Sequence, residues 1–290
     1  MWRRRLRHPL SWLPDIPVEQ VEAYHRIWEN LRQAELVEDG RHDNEDWRAR
    51  NTTFALCCIR VPHGALNEEL DHVRDALGGF PFLRLHPAAF LHIPIQELGF
   101  LCSEPRARDE ISIARLEEFC GVARIPVAEF PRFTIKVTGL NSFLDAPFLE
   151  ITDGGSLSRI QRRLLDITLI PPNTRYPYLP HITIGHYMQE APIGDLADVI
   201  APWREAVFGE FEVTEIDIVT FSTNEAYPPL IEFQRLPLGT ASPTTPFVSG
   251  PGKGTLIDPS APGEPHTPTL SLDSDNHTHA TADTESNARS

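Results

Sequence analysis

One ten-residue stretch constrains this chain more than any other: Tyr178-Leu179-Pro180-His181-Ile182-Thr183-Ile184-Gly185-His186-Tyr187. An imidazole, an apolar residue, a hydroxyl and then Ile-Gly read as a β-strand, in which alternate side chains face one way. His181 and Thr183 then share a face, while Ile182 and Ile184 point into a core. A titratable nitrogen beside a hydroxyl suits a phosphate group, because one moves a proton and the other donates to a phosphoryl oxygen. A second copy of the pattern stands upstream at Phe90-Leu91-His92-Ile93-Pro94-Ile95-Gln96-Glu97-Leu98-Gly99-Phe100. There Pro94 occupies the position that corresponds to Thr183.

Two His-x-[Ser/Thr]-apolar strands in one chain resemble the paired motifs of the 2H phosphoesterase superfamily, in particular its 2′-5′ RNA ligase and cyclic-nucleotide phosphodiesterase branch. The likeness extends over about residues 52–238. It includes Phe133-Thr-Ile-Lys-Val-Thr-Gly-Leu-Asn-Ser-Phe143 and the strands closing before Pro237-Leu238-Gly239. The resemblance implies an α+β, bilobal fold, with two pseudo-symmetric antiparallel-sheet lobes around a central cleft. It also implies a metal-independent phosphodiesterase with no cofactor. His92 and His181 would be its catalytic pair, the first as general acid and the second as general base, although the sequence leaves that assignment open.

Cleaving a phosphodiester without a metal needs a base for the nucleophile, an acid for the leaving oxygen, and donors for the non-bridging oxygens. Thr183 is the expected phosphate donor. His186, where relatives often carry arginine, and Tyr187, which could stack a base at the cleft rim, complete the expected substrate-binding set. Tyr176 and Tyr178 in the preceding loop are further stacking candidates. Proline has neither a hydroxyl nor an N–H, so the first motif lacks a donor that Arg84, Gln96 or Lys136 would have to replace. The expected ligand is a nucleotide or RNA end carrying a 2′,3′-cyclic phosphate or a 2′-5′ linkage. The alternative is a protein that binds such an end and has lost turnover through Pro94.

Around the motifs, residues 1–50 read as an extension with one amphipathic helix over 17–36, on the stripe Val18, Val21, Tyr24, Trp28 and Leu31. It is expected to pack on the outside of the main domain, which spans 51–239. Within that domain the pattern predicts strands at 54–61, 133–140, 147–152, 212–222 and 230–236, besides the two histidine strands. Helices are predicted over 65–77, 109–123, 156–167 and 194–208. From Thr240 to Ser290, proline, serine and threonine with few large apolar residues predict a tail unable to bury enough surface to fold.

Composition narrows the partners. A formal charge of −15 argues against tracking along nucleic acid, which needs a basic path. It leaves room for a nucleotide or an RNA end. No apolar run reaches the ~18 residues of a membrane span, and a cytoplasmic monomer is expected. Cys57, Cys58, Cys102 and Cys120 lack metal-ligand spacing and read as reduced packing residues. No carboxylate or cysteine cluster accompanies the histidines, so no metal is expected.

Overall fold

The structure, a computed structural model, describes residues 18–40, 45–167 and 178–240. Tyr176, the first 17 residues and the tail beyond Thr240 lie outside them. In chain order the elements are α1 (Val18–Gln33), β1 (Leu36–Val37), α2 (Glu45–Ala49), β2 (Thr53–Arg60), α3 (Glu69–Leu77) and β3 (Leu83–Leu85). After a 3-10 turn at Ala88–Phe90 come β4 (His92–Leu101), β5 (Glu110–Ile111), α4 (Ile113–Ala128), β6 (Phe133–Ser142), β7 (Pro147–Thr152) and α5 (Ser156–Leu165). Then follow β8 (His181–Thr183), β9 (Gly185–Tyr187), β10 (Ala191–Pro192), α6 (Leu196–Ile200), β11 (Val207–Val213), β12 (Glu215–Ser222) and β13 (Ile231–Pro237).

Two larger sheets carry this α+β fold, and each holds one histidine strand. The order β13-β12-β2-β4-β5 places His92 in a five-stranded sheet, and β11-β6-β7-β8 places His181 at the edge of a four-stranded one. All pairs in these sheets are antiparallel except β4 with β5. The central strand β2 acts as a ruler for the faces. Ala55, Cys57 and Ile59 enter the main core, which the helices close, while Phe54, Leu56 and Cys58 build a smaller cluster on the opposite face. The adjacent cysteines therefore point opposite ways, both free and both buried. Burial pushes their thiols up, and that of Cys120 to about 11, so none is a ready nucleophile.

Several boundaries depart from the sequence pattern for identifiable reasons. The helix expected over 194–208 ends at Ile200, because Pro202 in the following 3-10 turn has no N–H to continue it. Val207 already begins a strand. The single strand expected over 212–222 is two, divided at Thr214: β11 belongs to the four-stranded sheet and β12 to the five-stranded one. Helix α3 starts only at Glu69, whose N–H is taken by the Asn67 side chain at 3.1 Å. Helix α4 starts at Ile113, where the Ser112 hydroxyl accepts from the Arg115 N–H. The two-stranded pairs β3-β9 and β1-β10 are too short to show a period.

Helix α1 is the larger surprise. It packs against the four-stranded sheet with Gln20, Tyr24 and Leu31 buried. Strand β7 pairs Glu150 with His181, so the next step would set Ile151 opposite Pro180, which has no N–H to offer. Tyr24 fills the gap. Its hydroxyl accepts from the Ile151 N–H at 3.2 Å and donates to the Pro180 carbonyl at 2.5 Å. The Gln20 amide donates to the Ile151 carbonyl at 2.8 Å. Among the described residues no helix is long and apolar enough to cross a membrane. Tyr24→Phe removes this bridge and leaves buried backbone groups short of a partner, so about 2 kcal/mol of stability and roughly 4–8 °C of Tm should be lost. A thermal melt unchanged by the substitution would show that the hydroxyl does not hold the strand.

Candidate active site

Each histidine opens its strand half-buried, and each is fixed in the same way. His92 Nδ1 lies 2.7 Å from the Phe90 carbonyl, and His181 Nδ1 lies 2.7 Å from the Leu179 carbonyl, in both cases two residues back. A carbonyl only accepts, so Nδ1 must carry the hydrogen and Nε2 is left as the acceptor nitrogen of the neutral ring. Aromatic rings pin both imidazoles edge-on: Phe90 at 5.3 Å from His92, and Phe143 and Phe148 at 5.1 and 5.4 Å from His181. Burial pulls the pKa of His181 below that of a free imidazole, against smaller opposing effects of the Leu179 carbonyl and the Asp145 charge. His181 is therefore neutral at pH 7, with a basic nitrogen.

The two motifs touch. Strands β4 and β8 lie beside each other although they share no ladder. The Tyr178 hydroxyl at the entrance to β8 donates to the Pro94 carbonyl in β4 at 3.1 Å. The N–H and C=O of a strand residue point the same way, so the N–H that proline lacks would also have pointed away from β2. Pro94 thus costs the sheet no bond to β2, where a ladder bond could have been lost. It stands opposite Cys58, beside a β-bulge.

Thr183 shares its face with His181, both half-buried, as the alternation predicts; Ile182 and Ile184 are in the core. Tyr187 requires a correction. It is 0% exposed, its ring meets Phe82 and its hydroxyl lies 2.7 Å from Ser142 Oγ. Strict alternation from His181 would have turned it to the cleft. At Ile184–Gly185, however, the chain leaves β7 and pairs with β3. Gly185 lies so close to β3 that a Cβ would meet the Arg84 carbonyl at 2.8 Å, and across this crossover the phase slips by one residue.

The same slip brings His186 out, half-buried, opposite Arg84 in the β3-β9 pair. Its Nδ1 lies 2.9 Å from Nε2 of the buried His86. Arg84 sits over the Tyr227 ring at 5.2 Å, and Phe90 links this group to His92 through ring contacts at 5.5 and 5.3 Å. Gln96 is buried and donates to the Glu97 carbonyl, and Lys136 is exposed on β6, so neither stands in for a hydroxyl at Pro94.

A neighbour of His92 that the sequence pattern did not reveal is Arg60. It is the cross-strand partner of His92, and directly opposed residues share a face. Asp217 at 2.6 Å and Glu232 at 3.2 Å both hold its Nη2, leaving Nε and Nη1 without a hydrogen bond to the described residues. A lone arginine closing an apolar strand just before Pro62 was the available signal. Among the described residues no group of three His, Cys, Asp or Glu could hold a metal ion.

Two strands from two sheets thus each open on an imidazole clamped by the carbonyl two residues back. The chain belongs to the 2′-5′ RNA ligase superfamily, whose family model matches residues 62–225. No curated protein matches it in sequence. Solved structures similar to it include Escherichia coli LigT in apo form, at 18% identity and a TM-score of 0.46, covering 66% of this chain and 99% of that one. TT0787 of Thermus thermophilus has 15% identity and a TM-score of 0.45, covering 65% and 100%. ATU0111 of Agrobacterium tumefaciens, described as a conserved protein of unknown function, has 12% identity and a TM-score of 0.49, covering 68% and 94%.

The lowered pKa of His181 fixes the direction of a pH test. A base that is harder to protonate stays active to lower pH, so the acid limb of kcat/KM for a 2′,3′-cyclic nucleotide should fall below the ~6.5 of a free imidazole. A midpoint at or above that value would mean that His181 is not the group being titrated.

Proposed function

We propose that this protein is a metal-independent phosphodiesterase that opens 2′,3′-cyclic phosphates or 2′-5′ linkages of nucleotides or RNA ends. The observation that carries the reading is the matched pair of Nδ1–H···O=C bonds, which set the Nε2 atoms of His92 and His181 to accept and deliver protons. Water attacks phosphorus while His181 Nε2 takes its proton. The P–O bond to the ribose breaks as protonated His92 gives its Nε2 proton to the leaving oxygen, and a phosphomonoester results. Charge on the non-bridging oxygens meets the Thr183 hydroxyl, on the same face as His181. The reverse reaction, 2′-5′ ligation, would use the same groups.

Burial supports His181 as the base, since it favours the neutral ring. A second reading rests on Pro94 alone: a nucleotide- or RNA-end-binding protein that has lost turnover with the missing hydroxyl.

Hydrolysis of a 2′,3′-cyclic nucleotide in the presence of EDTA tests the first reading. His92→Ala and His181→Ala should each lower kcat by roughly 10²–10⁴-fold with binding largely kept. Activity abolished by the chelator and restored by one divalent ion would rule out the two-histidine scheme. Pro94→Thr separates the two readings, since a well-placed donor is worth on the order of 10²-fold and a rise of at least several-fold is expected if no neighbour has taken over its role. An inert wild type that stays inert as Pro94→Thr would favour the binder.

A further inference from the structure

The segment before β2 lies on both histidine-bearing faces. In the four-stranded sheet, Phe148 and Glu150 are the cross-strand partners of Thr183 and His181 and therefore share their face. Helix α1 sits on that face. The Tyr24 ring lies 6.1 Å from Phe148, and its carbonyl accepts from Asn141 at 2.9 Å. One turn further along, Trp28 packs under Arg204 at 5.1 Å. In the five-stranded sheet, Phe54, Leu56, Cys58 and Arg60 mark the face of His92. Trp47 of α2 caps its far end, 4.9 Å from both Phe54 and Phe100.

This segment lies wholly outside the stretch that the superfamily model matches, residues 62–225. Between these two covers lie the starts of β4 and β8, which carry the half-buried histidines. A polynucleotide needs more than that: a groove tracking several phosphates, lined with cations and stacking surfaces. Residues 18–50 instead carry nine acidic and five basic residues, in a chain of net charge −15. Through contact and charge alike, the covering segment opposes a backbone that extends beyond the reacting phosphate.

We infer that the N-terminal segment, through α1 and Trp47, sets the length of the substrate and restricts the site to a mononucleotide or dinucleotide phosphodiester, excluding a longer strand. The inference rests on the phosphodiesterase reading for its chemistry and on the covered faces for its selectivity.

The full-length chain is assayed with a 2′,3′-cyclic mononucleotide and with an RNA of roughly ten nucleotides ending in the same cyclic phosphate. Binding of the matching 3′-phosphates is measured by calorimetry. The mononucleotide should be favoured by roughly tenfold or more in kcat/KM and in affinity. A ratio near one, or one favouring the longer RNA, overturns the length restriction and leaves the proposed reaction standing. Turnover of neither substrate overturns the proposed reaction, and the binding ratio still decides the length question. Trp47→Ala, at a half-exposed position at the end of the sheet far from His92, should narrow the ratio by about threefold with mononucleotide turnover unchanged, as expected when a covering side chain is removed. Trp28→Ala should do the same from the other face. A wild-type preference that neither substitution moves overturns the role of the segment.

Discussion

A carboxylate with 1% of its surface exposed has to be compensated where it stands, and Glu150 organises much of the fold around that requirement. Burial pushes its carboxyl up, while Arg204 at 2.5 Å and the Asn141 amide at 2.7 Å pull it back toward the ionised form. These partners come from separate elements. Asn141 also reaches the Tyr24 carbonyl, and Arg204 also donates to the Leu140 carbonyl and covers Trp28. One buried charge thus ties β6, β7, the turn after α6 and the N-terminal helix to the strand pair that holds His181. A neutral residue in its place would leave the largely covered guanidinium of Arg204, 16% exposed, without its counter-ion, the costlier half of breaking such a pair.

The five-stranded sheet uses the opposite device. Arg60 keeps a third of its side chain exposed, and its two carboxylate partners hold one nitrogen only, so the guanidinium is oriented without being fully spent. The two sheets therefore treat charge differently: one neutralises it inside, and the other holds it part-exposed between carboxylates of β12 and β13.

Much of this was legible in the sequence. The histidine strands declare themselves through period two, and Ile182, Ile184, Ile93 and Ile95 are buried as that period requires. Alternation failed at Tyr187, because the change of strand partner at Gly185 depends on how close β3 comes, which residue spacing does not encode. Pro202 announced a helix break that the apolar spacing over 194–208 concealed. The N-terminal helix was readable as a helix, with Tyr24 and Trp28 in its stripe. Its seat on a histidine-bearing face depends on Ile151 and Pro180, far along the chain, and no local pattern could supply it. Arg60 came opposite His92 only when β2 and β4 were set in register.

The bond between Tyr178 and residue 94 changes what that position has to provide. The hydroxyl is received by the main-chain oxygen of Pro94, an atom that every amino acid owns. The join between the two motifs is therefore indifferent to the identity of residue 94, whose side chain can drift without loosening it. Tyr178 has no such latitude, since its reach and its proton both come from the side chain. Across descendants of such a chain, tolerance should gather on the β4 side of this contact and constraint on the other.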